Sequence, residues 1–456
     1  MSDLSFKQKN CYQELSEQEQ ETMNRFCEEY KDFLTCAKTE RFGVQYAVRI
    51  AAQNGYKPFE YGKAYQPGDK IYLIQKQKAA IFAHIGQEPM ENGFHIVAAH
   101  MDCPRLDIKI NPLYEKSGLA IFKTHYYGGI LKYQWVTIPL MLLGVVYKKD
   151  GTEIEINIGS EKNDPVFCIT DLLPHLGKDQ AKKSLNAAFT GEDLNLLVGS
   201  KPDQTEEENE SVKQAILKLL KEKYDLSEED FFTAELSAVP AECARDLGFD
   251  RSMILSFGQD DRVCAFPAFT ALMQTTTPKQ TAVCVLADRE EVGSMGITGL
   301  RSAYMSDFLE ELCLNAGQNF RKALANSSAI SSDVTAAYDP NYESAFEAMN
   351  TAFLNKGCAI NKFTGAGGKS GSSEADARFI AQLCALFDQN HVVYQFGELG
   401  KVDQGGGGTV SQFIADRNIE VVDIGVPVLS MHAPYEVTAK SDVYMLYKAC
   451  LAFYAQ

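Results

Sequence analysis

The sequence predicts an α/β protein: a mixed sheet sandwiched by helices, with a β-rich domain inserted into the chain. Three observations carry this. β-rich runs follow one another quickly at 71–74, 79–84 and 94–99, the start of a sheet. From Met253 onward α-type and β-type patterns alternate, as they do where helices cover both faces of a sheet. Between about Ile108 and Asp250 the pattern is instead antiparallel β, and the mixed pattern resumes after it, so this block reads as an insertion with its own core. The expected division is 1–107 plus 251–456 for the main domain and 108–250 for the inserted one.

Ser16-Glu17-Gln18-Glu19 is a capping box, and Met23, Phe26, Tyr30, Phe33 and Leu34 follow at helical spacing, which predicts an amphipathic opening helix. A second helix is expected from near Thr39 to before Gly55. Pro67-Gly68-Asp69 is a turn into the first strands. In the inserted block, 121–127, 136–147 and 153–158 read as strands, with Asp150-Gly151 turning the last hairpin. The acidic run 203–210 reads as a solvated loop and 211–224 as a helix. Beyond it, 282–287 is a buried strand, 305–315 opens a helix, 375–387 is a helix and 421–424 a strand. The tract 365–373 nearly spells a phosphate-binding loop, but Phe363 stands where its first glycine belongs, so no nucleotide is expected. With 405–408 it reads as closely approaching backbone or a mobile loop near a site.

A length of 456 residues suits two or three domains. A net charge of −17 argues against nucleic acid or an anionic membrane surface as partner and is compatible with a carboxylate-lined cation site. The N-terminus lacks the apolar run of a signal peptide, and no stretch approaches the roughly 18 apolar residues of a membrane span, so a cytoplasmic protein is expected. The twelve cysteines contain no C-x-x-C pair and read as reduced, mostly buried thiols. Cys103, beside the first motif below, reads as packing.

Chemistry concentrates in five places. The strand 95–99 delivers His100 at its end, with Asp102 two residues on, free to turn back and fix the imidazole's tautomer. Asp260-Asp261-Arg262 precedes an apolar helical run, Asp288-Arg289-Glu290-Glu291 follows a buried strand, Ser331-Ser332-Asp333 follows a small-residue segment, and Ser430-Met431-His432 follows the strand near 424. Two histidines and several carboxylates gathered at strand ends would bind divalent ions such as zinc, manganese or cobalt. With one carboxylate bridging, two ions about 3.5–4 Å apart would share a hydroxide. A free carboxylate could then take the proton and hand it to the leaving amine. Glu290 and Glu291 suit that division, one as base and one as ligand, provided the strand has already given way to loop. Each acidic pair and loop histidine, seen alone, is more often an ordinary group on a solvated surface. His95 faces away from His100 and reads as structural, while His84, His125, His175 and His391 stay unassigned.

AAHMDCPRLDIK, GQDDRVCAFPAF, ADREEVGS, SSDVTAAYDPNYE and GVPVLSMHAPYE, in this order, resemble the aminopeptidase I / aspartyl aminopeptidase family of di-zinc metallopeptidases over nearly the whole chain. The resemblance implies a zinc-peptidase-like catalytic domain and a β-rich insertion that shields the site and mediates homo-oligomer assembly, commonly a tetrahedral dodecamer. It further implies that His100 and Asp333 hold one zinc, Glu291 and His432 the other, and Asp260 bridges them. Asp102 would orient His100, Glu290 would be the general base, and Asp261 and Arg262 would support from outside or be structural. Two segments depart from the family pattern. The inserted histidine segment is replaced by Tyr133-Gln134-Trp135-Val136-Thr137-Ile138-Pro139, and Ala336 and Asp339 occupy the family's histidine positions after Asp333. The expectation is a metal-dependent aminopeptidase of neutral or broad preference acting on peptides with a free N-terminus. A related two-metal deacylase or carboxypeptidase, and a non-catalytic metal-binding shell protein, are the alternatives.

Overall fold

Phe94–His100 (FHIVAAH) and Thr281–Ala287 (TAVCVLA) are buried at every position, as strands must be when helices cover both faces of their sheet. The computed structural model describes residues 4–203 and 210–456. Apart from its two end residues, the acidic run expected to be a solvated loop lies outside the described residues. The chain forms two compact units. One comprises Met1–Asp102, Cys243–Met431 and Tyr435–Gln456; the other comprises Cys103–Glu242 and His432–Pro434.

The first unit is built on a nine-stranded mixed sheet. Its order is Lys57–Pro58, Lys70–Gln75, Ala79–His84, Thr281–Ala287, Phe94–His100, Ser328–Ser331, Glu420–Gly425, Cys358–Asn361 and Tyr394–Phe396. The four middle strands, Thr281–Ala287 to Glu420–Gly425, run parallel. Alternation along them feeds two cores: Val97, Ala99, Cys284, Leu286, Ile330 and Val422 enter one, and Ile96, Ala98, Val283, Val285, Ala329 and Val421 the other. The first core is closed by helices including Glu17–Cys36, Gln259–Gln274 and Lys440–Tyr454, the second by Tyr304–Asn315 among others. A smaller five-stranded sheet joins Arg245–Leu247, Met253–Ser256, Glu436–Ala439, Pro427–Leu429 and Thr335–Ala336.

Local chemistry sets most boundaries. Ser16 and Glu19 form the expected reciprocal capping box at the start of Glu17–Cys36. The buried stripe of that helix brings Phe26 to 4.7 Å from Tyr447 and Phe33 to 5.3 Å from Phe266, measured between ring centroids. Thr39 caps Glu40–Gln53 through its hydroxyl. The helix expected from residue 375 begins instead at Ala377, because the Asp376 carboxylate accepts the Arg378 N–H and ends the preceding loop there. Gly365 and Gly406 belong to backbones in close approach, since a Cβ on Gly406 would lie 1.8 Å from the Gly365 carbonyl oxygen.

The second unit is a six-stranded antiparallel sheet in the order Glu153–Ile158, Leu140–Tyr147, Ala234–Pro240, Arg105–Lys116, Leu119–Tyr127 and Leu196–Gly199. The strand expected from residue 136 starts only at Leu140. Lys132–Trp135 is a 3-10 turn, Thr137 is left-handed at φ 62°, and Pro139 has no N–H to give a ladder. The helix Ser211–Tyr224 stands where expected, its Val212 and Lys213 N–H groups donating to Glu115 at 2.8 and 3.0 Å. Among the described residues no helix is long and apolar enough to cross a membrane.

Leu286, 1% exposed in the middle of the parallel strands, tests this architecture. Leu286→Ala is expected to lower unfolding free energy by about 2–5 kcal/mol, read as a reduced midpoint with an unchanged slope in urea denaturation.

Candidate active site

Register decides which side chains can meet. Ala287 pairs with His100, Ser331 lies beside Ala98, and Ser331 also pairs with Asp423. The four parallel strands therefore end along one edge of the sheet, the edge where α/β proteins build their sites. Residues singled out in the sequence stand just beyond these ends: Asp102 after one strand, Glu290–Val292 as a short 3-10 turn after the second, and Asp333 after the third. Glu290 and Glu291 have left the strand, so neighbouring carboxylates need not face opposite ways. The fourth strand ends in Gly425, where a Cβ would lie 1.7 Å from the Asp333 carbonyl oxygen. Only glycine lets that loop sit so close.

His100 is the centre of the cluster. Its Nε2 is 3.3 Å from Asp260 Oδ1, 3.9 Å from Asp333 Oδ1 and 3.9 Å from Glu290 Oε2. Its Nδ1 lies 2.9 Å from the Asp102 carbonyl oxygen and 3.4 Å from the Asp102 carboxylate. That carboxylate also serves the glutamates, its two oxygens accepting the Glu290 and Glu291 N–H groups at 3.1 and 3.2 Å. Asp102 thus fixes the ring mainly through its backbone, and the Glu290-Glu291 pair through its side chain. Asp261, which follows Asp260 across a cis peptide bond, accepts the His100 backbone N–H at 3.2 Å.

Two groups of donors result. Atoms of His100, Asp261 and Asp333 lie within 4.8 Å of one another, and so do atoms of His100, Asp260 and Glu291. Burial pushes Asp261, Asp333 and Glu291 well above the usual carboxylate range, with neighbouring carboxylates adding to the effect. Burial disfavours a charged His100, but Asp102, Asp260 and Asp261 outweigh it and hold the imidazole well above its ordinary value. Such mutual repulsion in a buried site is relieved by a cation. Oxygen and imidazole donors suit a divalent ion of the zinc type.

Of the residues singled out from sequence, His100, Asp102, Asp260, Glu290, Glu291 and Asp333 come together. His432 falls in the second unit, where it adopts φ 65° and its Nδ1 is 2.8 Å from the Gly129 carbonyl oxygen. His95 is buried with its ring against Phe453, and Cys103 is simply buried. Sequence reasoning gave Asp261 no donor place and passed over Glu436, a buried carboxylate that closes the fifth motif. Its position at the end of a motif already in hand was the available signal.

Residues 33–454 match the family described as aminopeptidase I zinc metalloprotease (M18). A protein of Clostridium acetobutylicum described as an M18 family aminopeptidase 1 is 45% identical over 451 residues, covering 97% of each chain. The crystal structure of an M18 aminopeptidase from Thermotoga maritima superposes with a TM-score of 0.94 at 40% identity, covering 98% of this chain and 99% of that one. The yeast mApe1 dodecamer shares the fold at TM-score 0.77 and 19% identity, covering 95% and 97%. With the family match running from residue 33 to 454 and a relative 45% identical over 97% of the chain, the chain belongs to the aminopeptidase I zinc metalloproteases (M18) and is a metallo-aminopeptidase.

Proposed function

We propose that this aminopeptidase removes single residues from the free N-termini of peptides by a two-zinc mechanism, with neutral or broad preference for the residue removed. The observation that carries it is the buried cluster of carboxylates around His100 at the ends of the parallel strands. His100 and Asp333 would hold one ion, Glu291 and His432 the other, and Asp260 would bridge. The place of His432 in this set rests on its motif. When bound, the ions supply Lewis acidity to the scissile carbonyl and to the attacking water; cobalt or manganese could serve in place of zinc.

The chain's own residues do the rest. Glu290 is more open than Asp260 or Asp333, its side chain 17% exposed against 4% and 10%. An acid-base group must meet water and substrate, so Glu290 takes the proton from the attacking water and returns it to the departing amine. Asp102 holds Glu290 and Glu291 by their backbones and His100 by its ring. The excess of negative charge attracts the cationic amino terminus of a peptide.

Neutral or broad preference is supported by the absence of histidine from 133–139 and by Ala336 and Asp339. The proposed inserted domain, 108–250, would shield the site and join copies of the chain, as a tetrahedral dodecamer. Exposed Ile110, Leu172, Leu173 and Leu176 in that domain support an interface, and the distant yeast relative is a dodecamer. Twelve free cysteines support a reducing compartment, the cytoplasm.

Three outcomes are expected. Glu290→Gln lowers kcat by about 10²–10⁴ while zinc content stays at the wild-type level, and His432→Ala weakens zinc more than the roughly 10–100-fold that loss of an outer partner costs; wild-type turnover by the glutamine variant would remove Glu290 as base. Reporter amides of Leu, Met, Asp, Glu and Lys, assayed beside N-acetyl-Leu, lose turnover on chelation and regain it with zinc, cobalt or manganese. Cleavage of the acetylated substrate contradicts the need for a free amine, and a strong Asp or Glu preference contradicts the neutral reading. Sedimentation equilibrium gives about twelve chain masses, whereas a monomer mass excludes the dodecamer.

A further inference from the structure

Asp260 reaches His100 from an unusual place in the chain. The strand Met253–Ser256 ends, Gly258 turns left-handed at φ 71°, and the helix Gln259–Gln274 begins with Asp260 off helical geometry at φ −79°, ψ 108°. The first N–H groups of a helix have no partner within it. Here they have one from another strand: Glu436 Oε2 accepts the Gln259 N–H at 2.6 Å and the Asp260 N–H at 3.1 Å. Glu436 opens the strand Glu436–Ala439, pairs directly with Ser256, and is 1% exposed.

The grip is reciprocal. The Gln259 side-chain amide donates to the Glu436 carbonyl oxygen at 2.6 Å and to the Ile254 carbonyl oxygen at 3.1 Å, while its oxygen accepts from the Tyr30 hydroxyl at 3.3 Å. Gln259 is fully buried. The peptide that carries Asp260 is therefore tied to two strands and, through Tyr30, to the opening helix. A buried carboxylate accepting two N–H groups makes strong, charge-assisted bonds. Held there, the negative end of Glu436 also adds to the field that draws cations towards the cluster.

We infer that Glu436 is a positioning residue for the metal centre: its carboxylate sets the backbone of Asp260 and thereby the placement of the bridging oxygens. This rests on the reading of Asp260 as a metal ligand. Glutamate is required rather than any acceptor, because both N–H groups converge on the single oxygen Oε2, where glutamine would offer a neutral oxygen in place of a charged one, and aspartate is one methylene too short to reach both.

The test measures zinc affinity of the metal-free protein by chelator competition, beside thermal unfolding of that same form and kcat and KM of the reloaded enzyme. Wild type, Glu436→Gln and Asp260→Asn are compared. Glu436→Gln is expected to weaken zinc about 10–100-fold, in the range of outer partners, and to lower kcat more than it raises KM. A purely structural Glu436 would lower the unfolding temperature and leave zinc affinity and kcat of the folded protein within twofold of wild type, which overturns the inference. Asp260→Asn separates the two levels. If it binds zinc as wild type does, the ligand reading fails and takes the inference with it. If it weakens zinc while Glu436→Gln does not, only the inference fails. Should Glu436→Gln not fold, Glu436→Asp decides, since it keeps the buried charge but draws the acceptor back from the Gln259 and Asp260 N–H groups. A threefold or greater loss of zinc affinity supports positioning, and an unchanged affinity overturns it.

Discussion

Negative charge packed around one buried imidazole is the constraint on which this structure turns. Asp102, Asp260, Asp261, Glu290, Glu291 and Asp333 all point at or brace His100. Carboxylates a few ångströms apart in a poorly solvated site repel by several kcal/mol per pair at an effective dielectric near 20. Within the cluster, His100 and the cations such a site attracts offset that repulsion. Metal binding and conformational stability are consequently coupled, because ions that bind only the folded chain deepen its free-energy minimum.

A scaffold that tolerates such strain must be rigid independently of the ions. The parallel strands provide it: they are buried on both faces, interleaved with two cores, and in register so that their ends share an edge. No cluster residue lies in the middle of a strand. His100, Asp102, Glu290, Glu291 and Asp333 lie at an end or just beyond it, where backbone direction changes and a side chain can aim along the sheet, while Asp260 and Asp261 come in from the start of the helix Gln259–Gln274. Gly425 illustrates the tolerance involved, since one added methyl group would strike the carbonyl of Asp333.

Much of this was legible in the sequence, and for physical reasons. Unbroken apolar runs marked the buried strands, the capping box marked the start of the helix Glu17–Cys36, and His100, Glu290, Glu291 and Asp333 stood out because polar residues end apolar strands. The five motifs in order also carried the family. What remained hidden depends on pairing between distant segments. Asp261 bonds the backbone of a residue 161 positions away, and Glu436 bonds residues about 177 positions away; each stands in a motif, but the motif does not name the partner. The late start of the strand Leu140–Tyr147 was missed because apolar content at 136–138 resembles a strand, while Thr137 and Pro139 deny it the backbone.

The cluster is held together largely by side chains gripping other residues' backbones: Asp261 the His100 N–H, Asp102 the two glutamates, Glu436 the Gln259-Asp260 peptide. Such bonds fix geometry without depending on which side chain recognises a substrate. That separates two kinds of change. Residues inside the grip cannot vary without moving a member of the cluster, whereas those beyond it can. Ala336 and Asp339 are of the second kind. Ala336 pairs with Val428 at the edge of the small sheet, and the Asp339 carboxylate accepts the Asn341 N–H to cap the 3-10 turn Pro340–Ala345. Both have structural employment of their own, apart from the contacts that hold Asp333, a few residues before them in the chain, beside His100.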